Sequence, residues 1–91
     1  MSNQQIVFPT VIRVRKDTTE IEVPDLHIKV VGNNYTEAIG RTIEHITAIC
    51  NYRKERNIPI RITETYDSLV EKTSKERLKH FIYMLSTLDE Q

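Results

Sequence analysis

The sequence predicts an α+β fold: a three-stranded antiparallel meander, a long helix and a fourth strand (βββαβ), followed by a C-terminal helix. Three observations predict it. Apolar and polar residues alternate over residues 6–15, 19–23 and 27–31, which is the period-two pattern of half-buried strands. The period changes to helical spacing after Asn34. Between these runs stand two corners, Val23-Pro24-Asp25-Leu26 and Gly32-Asn33-Asn34, each built from residues that stop one element and start the next.

In the first strand Ile6, Phe8, Ile12 and Val14 fall on one side, and Val7, Val11, Arg13 and Arg15 on the other. Pro9 has no N–H to donate, so the strand is expected to begin at an edge or to pair irregularly there. Lys16-Asp17-Thr18 supplies turn chemistry. The second strand then turns Ile21 and Val23 inward and Glu20 and Glu22 outward. This hairpin sets Arg13 and Arg15 near Glu20 and Glu22 on a solvated face, where each cross-strand pair contributes about 0.2–1 kcal/mol. Pro24 ends the strand by fixing φ and removing a donor, Asp25 bonds the local backbone to form the corner, and Leu26 returns to the core. The third strand, 27–31, points Ile28 and Val30 inward and His27 and Lys29 outward. Gly32 is expected to take a turn conformation that a Cβ would resist.

Asn34-Tyr35-Thr36-Glu37 is an N-terminal box: Asn34 can accept from the N3 amide, and Glu37 can reach back to the N–H of the cap near the positive end of the helix. The helix carries Ile39, Ile43, Ile46 and Cys50 inward, broadened by Thr42 and Ile49, and ends in the basic, polar turn 53–57. Gly40 in its interior costs about 1 kcal/mol against Ala, and close approach to the sheet is the expected reason for it. Residues 58–63 place three isoleucines on one face and are expected to form the fourth strand, with Pro59 marking an edge or a strand start. After a polar segment, Thr73-Ser74-Lys75-Glu76 offers a second cap box for a helix over 74–88, along which Leu78, Phe81, Ile82, Leu85 and Leu88 recur at helical spacing.

At 91 residues the chain is one domain, read as a core over 1–63 and a helical extension over 64–91 packed on it. Thirteen basic and thirteen acidic residues balance, so no global field draws the chain to nucleic acid or to an anionic membrane. The lone Cys50 excludes a disulfide scaffold and fits a reducing compartment. No apolar run has the length of a membrane span, and the polar start 1–5 is not a signal peptide. A cytoplasmic protein is expected. Edge strands, together with Tyr35, Tyr52, Tyr66, Tyr83 and Met84, need cover, so a homodimer is expected as well.

Groups for chemistry are sparse. His27, His45 and His80 fall in separate elements without metal-ligand spacing, and neither Cys50 nor any serine stands on a recognisable nucleophile turn. No catalytic, metal-binding or cofactor-binding residue is assigned, and nothing in the sequence picks out a partner-binding surface.

The ordered succession of Val23-Pro24-Asp25-Leu26, the glycine and capped turn of Gly32-Asn33-Asn34, the Glu37-Ala38 pair and Ile58-Pro59 resembles the HicB-like antitoxin domain, a partial ribonuclease H-like fold. The resemblance covers about the first two thirds of the chain. His27 and Ile28 stand where the family commonly has proline and glycine, and Gly32-Asn33-Asn34 replaces its Gly-Asp-Thr turn. It implies a protein that neutralises a small toxin ribonuclease by occlusion, without turnover. A catalytic site of the ribonuclease H type needs first-strand carboxylates that help hold two metal ions, and residues 6–15 contain no Asp or Glu. Asp25, Glu37 and Glu44 are accordingly read as corner, cap box and helix surface. The alternative is a DNA-binding dimer regulating transcription, for which a ribbon-helix-helix would be made from Arg61 and Thr63, a short helix through Tyr66, Leu69 and Val70, and the last helix. Against it, residues 64–91 carry more acidic than basic groups.

Overall fold

The computed structural model describes residues 5–88; residues 1–4 and 89–91, which include the polar start and the end of the expected extension, lie outside them. Strand β1 spans Gln5–Val14 and β2 Thr19–Val23; after a 3-10 turn at Pro24–Leu26 comes β3 at Ile28–Gly32. Helix α1 (Tyr35–Glu55) and a short α2 (Tyr66–Lys72) precede the last strand, β4 (Lys79–Leu88). One four-stranded sheet results, in the order β3-β2-β1-β4, with every neighbouring pair antiparallel. The α+β class, the meander, the long helix and a fourth strand are all present.

The last two elements differ from their expected places. Residues 58–63 have no regular secondary structure and join no ladder, and the segment expected as a helix over 74–88 contains β4 instead. Ten successive residues of β4 stand in register with β1, from Lys79 opposite Val14 to Leu88 opposite Gln5. Phe81, Ile82, Tyr83 and Thr87 suit a pleated surface, and the unpaired edge of β1 satisfies a strand's backbone groups in a way that no isolated helix can use. Within the described part of the extension, Lys79–Leu88 is strand and completes the same sheet. Of the three isoleucines at 58–62, Ile60 alone packs against the core, while Ile58 and Ile62 are exposed. Thr73 accordingly closes α2, and the cap box on this side of the chain is Thr65 with Ser68 at the start of α2.

The main core lies between α1 and one sheet face. Phe8, Val23, Leu26, Ile28, Val30, Ile46 and Leu85 form its larger part, and Ile12, Ile21 and Ala38 the smaller. Along α1, Ala38, Thr42 and Ile46 are buried and Ile39, Ile49 and Cys50 half-buried. Ile43, expected inward, is 41 % exposed. Its position carries it to the margin of the stripe because α1 packs over β2 and β3 and leaves the β1–β4 half less covered.

Neither glycine serves its expected purpose. Gly32 has no positive φ; a Cβ there would lie 2.6 Å from the Ala38 nitrogen and 2.9 Å from its Cα, so close approach of β3 to the first turn of α1 is what requires it. A Cβ on Gly40 would meet nothing within 4 Å. The left-handed backbone is found at His27 (φ 56) and Asn57 (φ 55). His27 thus closes the 3-10 turn, and β3 starts one residue later than expected.

Pro9 lies in a central strand, opposite Met84. The ladder with β2 reaches only from Val14 to Val11, so at Pro9 the strand is an edge on that side and the missing donor breaks no bond there.

Candidate functional site

The face opposite α1 holds the densest set of charges. Arg13 and Glu20 stand opposite each other in the β1–β2 ladder. The Arg13 guanidinium donates to Glu20 Oε2 (2.9 Å), Glu22 Oε1 (2.8 Å) and both oxygens of Glu76 (2.8 Å each), and Arg15 adds a bond to Glu20 Oε1 at 3.0 Å. The side chains of Arg13 and Glu20 are 12 % and 9 % exposed. The expected solvated face is therefore largely enclosed, because α2 packs against β1 and β4 and the turn after it brings Glu76 down onto Arg13. Bidentate geometry and low exposure make this network a fixed strut between the hairpin and the C-terminal segment. Hydrogen bonding to Glu76 raises the Arg13 pKa above its ordinary value even though burial opposes this. Burial pushes Glu20 up, but hydrogen bonds from Arg15 and Arg13 outweigh it and hold the carboxyl below its usual range. Glu76 is lowered chiefly by its bonds from Arg13.

Asp25 makes the corner, as expected, and also fastens a distant segment. Its carboxylate accepts from the Thr63 N–H (2.9 Å), the Thr63 hydroxyl (2.7 Å) and the Glu64 N–H (3.2 Å). Burial raises its pKa, while these donors together bring it below the ordinary value. The latch pins the end of 58–65, a segment that no ladder holds. Asn34 accepts from the Glu37 N–H at 2.8 Å, and Glu37 reaches back to the N–H of Asn33 at 2.6 Å, one residue before the expected target. Glu37 also pairs with Arg41. Glu44 is exposed on α1.

The remaining candidates are dispersed. His27 sits at the corner, His45 on α1 with Nδ1 2.8 Å from the Arg41 carbonyl, and His80 on β4 with Nδ1 2.8 Å from the Leu78 carbonyl. Among the described residues no three His, Cys, Asp or Glu side chains gather as a metal site. Cys50 packs against the main core. The ribbon-helix-helix arrangement loses its second helix to β4, and its Thr63 is held by Asp25. The basic residues between 72 and 79 are split: Lys72 ends α2 and pairs with Glu64, Lys75 and Arg77 follow α2, and Lys79 opens β4.

What the structure assembles, and the helical reading of 74–88 concealed, is a surface along the outer edge of β4. Among the described residues only β1 pairs with β4. Phe81 and Tyr83 on one face and Met84 on the other are 45 %, 43 % and 42 % exposed. An open groove of about 360 Å³ runs beside them, between Tyr66, Val70 and Thr73 of the α2 segment and His80, Phe81 and Ile82 of β4. The alternation of Phe81, Tyr83 and Leu85 with Ile82 and Met84, read as aromatic and β-branched strand composition, is the sequence signal that could have found it.

Among the described residues no helix is long and apolar enough to cross a membrane. The chain matches no family model, no curated protein and no solved structure.

Proposed function

We propose that this protein is a HicB-like antitoxin, or a binding protein derived from one, acting in the cytoplasm as a homodimer that masks the active surface of a small toxin ribonuclease. The role is binding without turnover. The supporting observation is that the residues carrying the resemblance hold one connected place in the fold. Val23 to Leu26 form the 3-10 corner, Gly32 lies against Ala38, and Asn34 and Glu37 cap α1. Asp25 then ties that corner to the segment that follows Ile58-Pro59. The carboxylates nearest the corner and helix start are engaged in these bonds, which suits a rigid scaffold presenting a surface.

The test is the reading frame adjacent to this one. A short basic product that arrests growth when expressed alone, and that co-purifies with this chain with growth restored, is the expected result. An adjacent product without effect on growth, or one that this chain neither binds nor neutralises, overturns the reading. The alternative, a DNA-binding dimer regulating transcription, draws on the cations Arg53, Lys54, Arg56 and Arg61 at and beyond the end of α1. A salt-sensitive shift of promoter DNA by the purified chain would favour it.

A further inference from the structure

We infer that the far end of α1 and the segment after it bind a single strand of nucleic acid, with its phosphates on Arg53, Arg56 and Arg61 and a base on the ring of Tyr52. This interaction uses cations that the DNA-binding alternative also draws on, takes a different ligand, and is independent of toxin occlusion.

Charge is spread unevenly over a chain that balances as a whole. Of the seven arginines, Arg13, Arg15 and Arg41 bond to glutamates, whereas Arg53, Arg56, Arg61 and Arg77 have no ion pair among the described residues. The first three of these four stand together. The Arg56 and Ile58 N–H groups both donate to the Arg53 carbonyl, at 3.2 and 2.8 Å, which folds the chain back on the last turn of α1. Arg61 follows on a segment that Asp25 pins at Thr63. Arg56 and Arg61 are exposed and Arg53 half-buried. Residues 53–63 carry four cations and one acid, Glu55. The carboxylates that adjoin this segment are already engaged, Asp25 by Thr63 and Glu64, and Glu64 by Ser68 and Lys72.

Arginines set among aromatic and aliphatic groups fit a strand better than they fit other polyanions. The Arg56 guanidinium lies 4.1 Å from the centre of the Tyr52 ring. Stacking of this kind uses the face of the guanidinium and leaves its in-plane N–H groups to hold a phosphate by two parallel bonds. Tyr52 is 53 % exposed, so ring surface remains for a base, and exposed Ile58 and Ile62 stand before and after Arg61. A duplex would bring phosphates to the arginines but offer nothing to these apolar groups, because its bases are stacked inside. A single strand brings phosphates and unstacked bases together. An acidic peptide would match the charges alone.

Fluorescence anisotropy of the purified full chain, with labelled DNA and RNA strands of mixed sequence and the matching DNA duplex, tests this at low ionic strength. At least one strand should bind roughly tenfold or more tighter than the duplex, and the tighter of the two identifies the sugar. The logarithm of the binding constant should fall against the logarithm of salt concentration with a slope of about −2, the value for three phosphates of a single strand. Arg56→Gln and Arg61→Gln should each reduce that slope by about 0.7. Tyr52→Leu should weaken binding roughly tenfold and leave the slope unchanged. Arg77→Gln removes an equally unpaired arginine, two residues before the Lys79 that pairs with Val14 at the opposite end of the sheet from the Asp25 corner, and should change nothing. No strand binding, binding no tighter than that of the duplex, displacement by anionic vesicles or poly-glutamate at equal charge, or the same loss from Arg77→Gln as from Arg61→Gln overturns the inference. Toxin neutralisation is scored separately: a chain that binds no strand but neutralises leaves the occlusion reading intact, and one that binds the strand without neutralising overturns occlusion alone.

Discussion

At the scale of single residues, glycine and arginine carry the sharpest consequences. Gly32 and Gly40 look alike in the sequence, yet the first abuts backbone atoms of Ala38 and the second faces open space. Gly32→Ala should therefore destabilise the fold by about 1–3 kcal/mol through overpacking, whereas Gly40→Ala should stabilise it by about 1 kcal/mol through helix propensity. Urea unfolding midpoints of the two variants check both signs. Arg13 was legible as a cross-strand partner of Glu20 and Glu22; Glu76 was not, since 63 residues separate it from Arg13. Arg13→Ala leaves three carboxylates without their common donor, one of them nearly enclosed, and should cost about 3 kcal/mol. This network and the Asp25 latch together set an acid limb. Glu20, Glu76 and Asp25 have folded pKa values below their ordinary ones, so the unfolded chain binds more protons and stability rises with pH in that range. Their contribution is complete above the unfolded carboxylate values of about 4 and is lost as pH falls through the folded ones. Unfolding free energy measured between neutral pH and pH 3 should fall on the acid side, and Arg13→Ala should flatten that fall.

At the scale of elements, β1, β2, β3 and α1 follow from local pattern because each has a clean period and its own stop signal. The 74–88 segment has a period open to two assignments and no stop signal of its own. Its apolar residues satisfy helical spacing and also cover both faces of a strand, and local periodicity cannot separate those cases. Residues 58–63 alternate well, but β4 occupies the only edge of β1 left beside β2, so they remain a strap pinned by Asp25. A proline in each segment separates the two assignments. Ile82→Pro should cost about 3 kcal/mol or more by breaking the β4 ladder or its geometry, while Ile62→Pro, in an exposed stretch without a ladder, should cost far less. Thermal unfolding of the two variants, followed by circular dichroism, gives the comparison.

At the scale of the molecule, a single sheet with one long helix over part of one face makes a flat body of 43 × 27 × 19 Å. Flatness leaves a long margin, and that margin is where the exposed Phe81, Tyr83 and Met84 collect. It also makes β4 indispensable, since Leu85 belongs to the main core and β4 covers the whole of β1 on one side. A chain ending after Thr73 should lose the native amide dispersion of the full protein in two-dimensional NMR, although α1 and the β1–β2–β3 meander are encoded in what remains. An ordered truncated meander would show instead that residues 1–73 fold without their fourth strand.

The sequence by itself determined the meander, the corner at Pro24, the capped start of α1 and the inward faces of β1 to β3, because each depends on groups only a few residues apart. It also pointed to the dispersed histidines and to the Arg13–Glu20 pairing. Tertiary structure decided the rest: that β4 rather than 58–63 takes the edge of β1, that Glu76 closes over Arg13, and that Gly32 rather than Gly40 marks the close approach. These outcomes depend on backbone groups and charges brought together from opposite ends of the chain, where competition for one open edge, not local preference, sets the lowest free energy.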